Sequence, residues 1–542
     1  MDPVALADAH EPLWYYVVTP LLVLTALVLT ARLRAPQWRR LPDAIRALRG
    51  PSEGLTPLPA FGLSTVGTFG AASAIGAFTA VSLGGAGALP WLWLFGFLLA
   101  PIPYAEVWLA RTDAPGRAGS DEDATGSLAR RLYRMGERWR LLGALLAILV
   151  IAAAFSFGGA ANADALARVT STILPGSALA LVGAAAGVGA LLALGGARTH
   201  AIAGWLGLVG LGTLLAAGLW ALFSDPGGCF GALASSFTDA FEGAAQRDAW
   251  TGALAGEIAR STTTALFVPL AAPTGATGAV HALSAHKTRD QAALSLLGSL
   301  TAVVIATLLV MVGVGTGALG ERVQSRRAIL DDVRIHRLAA ESASQRAEEE
   351  RLYTGMERIA DGASRNPSIS VATARGMIHE PRFVQVENGE TKPADLALRV
   401  VRGRPDRVML PGRFGALQEA PLSVLEDVYV EGEMVPDGPE LASASLERAH
   451  DFAPRLALAA LLALAAVGFA VWGTSAARAL SSRLPPALAL GVSILPAAGA
   501  GLAISGVAPW LAPLGALAAG ALVAVAALVI LARSREIAAL DR

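Results

Sequence analysis

The chain has 542 residues, of which 54% are hydrophobic and 16% charged, with 43 basic against 43 acidic side chains. Soluble domains carry roughly 25% charged residues, so a mean hydropathy of +0.53 excludes a soluble protein and points to an integral membrane protein. Cys229 is the only cysteine, which excludes an intrachain disulfide. The first twelve residues hold Asp2, Asp8 and Glu11 and no Lys or Arg. That is not the basic start of a secretory signal peptide, and the first apolar run is expected to stay in the mature protein.

Eleven apolar segments are of spanning length, each near the ~20 residues that a bilayer core requires. The first runs from Leu13 to Leu33 and is followed by a basic amphipathic piece, Arg34 to Arg49, suited to the interface. The second, Pro59 to Ser82, holds Gly62, Gly67, Gly70 and Gly76 among Ser64, Thr65, Thr68, Ser73, Thr79 and Ser82. A helix that only crosses lipid is Leu-rich. Clustered glycines and hydroxyls indicate close helix contacts or a helix broken in mid-membrane. The third span, Ala88 to Leu109, contains Pro90, Pro101 and Pro103 and is expected to kink. Spans four to six follow at Leu141–Gly159, Gly176–Leu194 and Ala201–Phe223. The seventh, Gly252 to Ala285, is interrupted by Pro269, Pro273, Gly275 and Gly278. The eighth is Gln291–Leu319, and Pro454–Ala476, Pro485–Ile504 and Trp510–Ala532 complete the set.

With the N-terminus outside, the cytoplasmic loops hold twenty Lys and Arg, whereas the short outer loops hold two, Arg168 and Arg247. This bias predicts a multi-pass cell-membrane protein with its N-terminus out and its C-terminus in the cytoplasm. Three parts follow: residues 1–319 with eight spans, an extracytoplasmic insert at 320–451, and residues 452–542 with three spans. In the insert, the charged, Ala-rich stretch from Glu321 to Arg358 is expected to be helical. From Ser368 to Glu433 short β-prone runs appear, such as Ile369–Thr373, Arg382–Val386, Leu396–Val401 and Val424–Val430, with Asn388-Gly389 as a hairpin turn. The insert therefore reads as a small α+β domain.

Several motifs resemble the sodium:alanine (alanine or glycine:cation) symporter family. They are LWYYVVTPLLVL at Leu13 and LRAPQWRRLPDAIRAL at Leu33. Gly67-Thr68-Phe69-Gly70-Ala71-Ala72-Ser73-Ala74-Ile75-Gly76 then stands where the family has G-T-V-G-T-G-N-I-A-G. Leu83-Gly84-Gly85-Ala86-Gly87-Ala88, Trp91 and Trp93, Tyr104-Ala105-Glu106, Gly195-Gly196, Lys287-Thr288 with Gln291 and Gly298, and Trp472 with Arg478-Ala479-Leu480 follow in the family's order. The resemblance implies a leucine-transporter-like fold: two inverted five-helix repeats after one extra N-terminal helix, with a midplane site between two broken helices. The second and seventh spans, five apart, are the most interrupted, in agreement.

The resemblance also implies where the chemistry lies. It puts the substrate, an amino acid, at Thr68, Gly70, Ser73, Asn162, Phe267, Thr274, Gly275 and Thr277, and the ion at Gly67, Ala71, Val467 and Gly468. At these positions the sequence departs from the family. A Thr-Gly-Asn becomes Ala71-Ala72-Ser73, an Asn-Glu pair is missing from Phe267 to Ala272, and a Ser-Thr pair becomes Val467-Gly468. Sodium wants about five or six oxygen ligands, by the logic of hard-cation sites, so its ligands at these positions are largely lost. Thr274 and Thr277 offer partial replacement. Asp164 lies beside Asn162, Glu257 and Arg260 form an i,i+3 pair, and Glu106 and His281 sit toward the cytoplasmic end, where structural roles are expected.

No metal spacing, phosphate-binding loop, nucleophile motif or nucleic-acid signature is present, so no enzyme is expected and no cofactor beyond sodium as a coupling ion. The first functional reading is a secondary active transporter of a small solute, by alternating access between spans two and seven. The alternative is a transport-incompetent relative acting as a membrane sensor or scaffold through its insert. Expected partners are the lipid bilayer, a small-molecule substrate and a protein at the insert, and no nucleic acid.

Overall fold

The computed structural model describes residues 12–49, 56–111, 127–195, 197–241, 268–271, 274–276, 288–318, 438–480, 486–508 and 510–541. Between 324 and 434 it describes eleven strands with Ala394 and Leu422. The chain divides into two compact units, one helical up to Thr316 and again from Gly438, the other comprising Gly317–Asp437.

Among the described residues of the helical unit, seven helices are long and apolar enough to cross a membrane. They are eight if the bent pair Pro57–Thr68 (α2) and Ala71–Gly84 (α3) is taken as one span. The seven are Leu13–Arg32 (α1), Gly85–Ala110 (α4), Glu137–Ile173 (α5), Arg198–Ser224 (α6), Arg289–Gly315 (α7), Ala453–Leu480 (α8) and Leu511–Ala532 (α9). Ala178–Leu194 and Leu495–Ile504 are apolar but shorter. An all-α polytopic membrane protein is thus borne out, whereas most of the expected seventh span lies outside the described residues. The basic piece after α1 forms two short helices, Pro36–Arg39 and Leu41–Ala47.

Small residues decide where these helices meet. A Cβ on Gly62 would lie 2.3 Å from the Gly204 carbonyl oxygen, and one on Gly204 would lie 2.6 Å from Pro59 Cα. Hence α2 and α6 cross backbone to backbone, which lipid-embedded helices favour because dispersion replaces hydrophobic burial as the drive. Trp14, fully packed, donates from Nε1 to the Ala516 carbonyl at 2.8 Å and ties α1 to α9. Its face continues through Leu22 and Leu29 against Leu522, Ala526 and Ile530.

At the end from which the basic pieces project, charged groups are paired. Asp43 accepts from Arg40 at 3.2 Å and from Arg289 at 2.9 Å, and Arg46 also pairs with it. Arg40 further binds Asp541 at 2.8 Å, and Tyr104 donates to the same carboxylate. Burial pushes the Asp43 carboxyl up, but hydrogen bonds from Arg289 and Arg40 outweigh that and hold it below the usual range.

The second unit is an antiparallel sheet of eleven strands, with the main path β1-β11-β6-β4-β3-β8-β9-β10. Here β1 is Gln324–Ile329, β2 Val333–Arg337, β3 Gly355–Ala360, β4 Ala363–Ser364, β5 Ile369–Thr373, β6 Gly376–Glu387, β7 Glu390–Pro393, β8 Leu396–Val401, β9 Arg404–Pro411, β10 Leu417–Pro421 and β11 Val428–Met434. Alternating residues such as Leu396, Leu398 and Val400 of β8 point into a core with Phe383, Val408 and Val430. β6 and β7 pair out to Glu387 and Glu390. Asn388 and Gly389 between them lie outside the described residues.

Two expectations are corrected. The helix expected over Glu321–Arg358 is replaced, where described, by β1, β2 and β3. In β2 the buried Val333 and Ile335 stand two residues apart, the period of a strand, and that overrides helix propensity. The insert is therefore β rather than α+β over its described residues. Its far boundary also moves, because Gly438–Ala449 belongs to the helical unit. That helix buries Leu441, Ser443, Ser445 and Leu446.

Candidate functional site

The first element of the site is the break between α2 and α3, where the helix axes bend by 45°. Phe69 (φ −119°, ψ 83°) and Gly70 (φ −91°, ψ −170°) leave helical geometry and interrupt the i→i−4 ladder. Buried Phe69 anchors the corner, and Ser73 Oγ reaches back across it to the Thr68 carbonyl at 3.4 Å. Asn162 stands beside the corner. A Cβ on Gly70 would lie 3.9 Å from its Oδ1, while its Nδ2 donates to the Phe157 carbonyl at 3.0 Å. Phe157 lies in a π-helical stretch, Ala154–Ala161, within α5. Such a bulge misaligns backbone groups and is frequent at functional sites.

The second element is the interruption in the seventh span. Val268–Ala271 forms one helical turn, and Thr274, Gly275 and Ala276 make a turn in which Gly275 has φ +96°. Two long helices hold this turn by its backbone. Glu106, fully buried on α4, accepts from the Gly275 N–H at 2.8 Å. Ser475 on α8 donates to the Ala276 carbonyl at 2.7 Å and shares that proton with the Val471 carbonyl of its own helix at 2.8 Å. A buried N–H left without an acceptor is costly, so this bond holds the turn in place.

The two breaks are brought together. Thr68 and Thr274 line one pocket with Ser299 and Val303 of α7, Leu22 of α1, Gly96, Leu99, Ala100, Ile102 and Pro103 of α4, and Leu270 and Ala271. Gly70, Ser73 and Asn162 cluster at the first break, and Gly275 follows Thr274 at the second. Phe267 and Thr277 lie outside the described residues, as do His281 and the Glu257–Arg260 pair.

The four positions assigned to an ion lie on α2, α3 and α8. The α8 side chain beside Gly67 is Val471, 3.5 Å from where its Cβ would be. Val467, fully buried, sits 3.6 Å from the corresponding point on Gly207 of α6. Gly468 faces open space and Ala71 is buried. Val467 thus serves as packing against α6. Sequence reasoning gave Glu106 only a structural role. Its grip on the unwound turn brings it into the site, and a lone carboxylate in an apolar helix was the signal. It did not single out Ser475 or Ser299, because serines in membrane helices ordinarily bond their own backbone.

Among the described residues, no cluster of His, Cys, Asp and Glu has the arrangement to hold a metal ion. The polar groups here are backbone, hydroxyl and amide, with the Glu106 carboxyl on the second turn. The sodium:alanine symporter family matches residues 4–336. Over 157 residues the chain is 29% identical to the probable sodium/glutamine symporter GlnT of Bacillus subtilis (strain 168), covering 28% of this chain. The alignment spans 31% of that relative's length.

Proposed function

Because the chain belongs to the sodium:alanine symporter family, a family of transporters and not of enzymes, we propose that it carries a small neutral amino acid across the cell membrane, coupled to sodium. Eleven spans would form two inverted five-helix repeats after α1, with the N-terminus and the insert outside and the C-terminus in the cytoplasm. The substrate site would comprise Thr68, Gly70, Ser73, Asn162, Thr274 and Gly275, with Phe267 and Thr277 completing it, and alternating access would move one repeat against the other. Lipid and the small-molecule substrate are its partners.

One observation carries this reading: the break at Phe69–Gly70 between α2 and α3 and the turn at Gly275 contribute Thr68 and Thr274 to a single pocket. Helix breaks in mid-membrane free backbone N–H groups for a carboxylate and carbonyls for a cation. The apolar remainder of the pocket favours alanine or glycine over glutamine, the solute in the name of the probable sodium/glutamine symporter, because burying a side-chain amide without partners is costly. Equilibrium binding of labelled alanine, glycine and glutamine to the purified protein, in sodium and in potassium, tests it. Sodium-dependent binding of alanine or glycine is expected. No binding in either salt would refute the reading and move attention to the insert.

A further inference from the structure

The chain turns sharply where α1 ends. Arg34 and Ala35 have φ +55° and +54°, a left-handed backbone that residues with a Cβ rarely adopt. Two in succession mark a turn held by its surroundings. The Ala35 N–H donates to the Thr30 carbonyl at 2.7 Å. Gln37, buried, donates from Nε2 to Thr30 Oγ1 at 3.0 Å and to the Phe97 carbonyl of α4 at 3.4 Å. Arg40, also buried, binds Asp541, and Ala44 and Ala47 are buried as well. One side of the short helices Pro36–Arg39 and Leu41–Ala47 is thus fastened to the bundle.

The other side has a different composition. Trp38 is 68% exposed and Ile45 45%, although Trp38 still rests against the Phe97 ring, with centroids 5.1 Å apart. Arg32, Arg34, Arg39, Arg46 and Arg49 are exposed. Residues 32–49 contain six arginines against one carboxylate, Asp43. That carboxylate is 13% exposed and is shared by Arg40, Arg46 and Arg289. The segment therefore presents cations and two apolar side chains to its surroundings, and no exposed acid.

An amphipathic segment of this kind settles where acyl chains meet headgroups, the depth at which Trp is enriched. Guanidinium groups match phosphate oxygens in pairs. In a zwitterionic lipid the headgroup's own cation offsets its phosphate, so an uncompensated positive surface selects lipids of net negative charge. Mobile loops would satisfy the topological bias in Arg equally well. Here the left-handed turn and buried Gln37 hold the face in one place, as a binding surface requires.

We infer that Trp38, Arg39, Ile45 and Arg46, with Arg34 and Arg49 on the same segment, form a binding surface for anionic phospholipid. In the orientation proposed above it meets the cytoplasmic leaflet. Trp38 and Ile45 enter the acyl boundary, and the guanidinium groups take the phosphate. The surface does not depend on which solute the chain carries.

Native mass spectrometry of the purified, delipidated full-length chain, titrated with phosphatidylglycerol and with phosphatidylcholine, tests the surface. Phosphatidylglycerol is expected to bind more tightly. Each arginine removed should weaken it about fivefold, and the double variant Arg39→Gln/Arg46→Gln roughly twenty-five-fold, whereas Arg39→Lys/Arg46→Lys retains binding. Arg399→Gln/Arg407→Gln, which removes two exposed arginines from the sheet, should leave it unchanged. Equal affinity of the native chain for the two lipids would overturn the inference, as would native-like binding by the Arg39→Gln/Arg46→Gln chain. A loss in Arg399→Gln/Arg407→Gln as large as in that chain would reduce the effect to net charge and overturn it too. Competition by glycerol phosphate as strong as by phosphatidylglycerol would make the ligand a soluble phosphate ester, against a lipid surface. None of these outcomes bears on solute binding, so the symporter reading stands or falls separately.

Discussion

Replacing Glu106 by Leu tests the link between α4 and the unwound turn. The Gly275 N–H is buried, and its acceptor is a carboxylate oxygen at 2.8 Å. Leucine is close in size, so packing changes little, but the N–H loses its acceptor. A buried donor left without a partner costs about 1–3 kcal/mol, a factor of roughly five to one hundred and fifty in an equilibrium constant. Glu106→Gln keeps an acceptor oxygen and should forfeit less. Two readouts are needed: the melting temperature of the detergent-solubilised protein, and substrate binding under saturating sodium. Stepwise loss of both, Leu worse than Gln, is expected. If Glu106→Leu melts and binds like the native chain, the carboxylate does not hold the turn, and the reasoning from the hydrogen bond fails.

Other consequences follow from the same packing. Gly62→Ala places a Cβ 2.3 Å from the Gly204 carbonyl, so it should abolish a monodisperse gel-filtration peak; Gly212→Ala, with nothing within 4 Å, should not. Gly275→Ala imposes φ +96° on an L-residue and meets the Ala526 Cβ at 3.0 Å. A loss of at least about 1–2 kcal/mol should appear as a lower melting temperature. Asp43 has a depressed folded pKa, so its contribution is present above the unfolded value, about 3.9, and is lost as pH falls through the folded one. Amide protection over Leu41–Ala47, measured against the intrinsic exchange rate at each pH, should therefore fall in acid, and in Asp43→Asn already at pH 7. Equal exchange in the variant and the native chain at pH 7 would contradict this.

How much was legible depended on whether a signal was local. The glycine and hydroxyl cluster from Gly62 to Gly76 announced a broken span, and the break falls at Phe69–Gly70 within it, because small residues permit the corner. The turn at Gly275 was likewise marked by its neighbouring prolines. The π-helical stretch at Ala154–Ala161 left no trace, since Phe155-Ser156-Phe157 reads as ordinary helix and the bulge answers to partners elsewhere in the chain. In the insert, Ala, Arg and Glu suggested a helix, and the two-residue period of Val333 and Ile335 was too short to outweigh them. Pairing with Val371 and its neighbours supplies what the local sequence does not. That Val467 packs on Gly207 of α6 was not legible either, because which face of α8 meets α6 is set by packing.

The most direct measurement is uptake of labelled alanine and glycine into proteoliposomes holding the purified chain, under an inward sodium gradient and under an equal potassium gradient. The account predicts accumulation above equilibrium that needs sodium and collapses when the gradient is dissipated. Accumulation that is indifferent to sodium, or none at all in vesicles whose protein is folded and monodisperse, would contradict it.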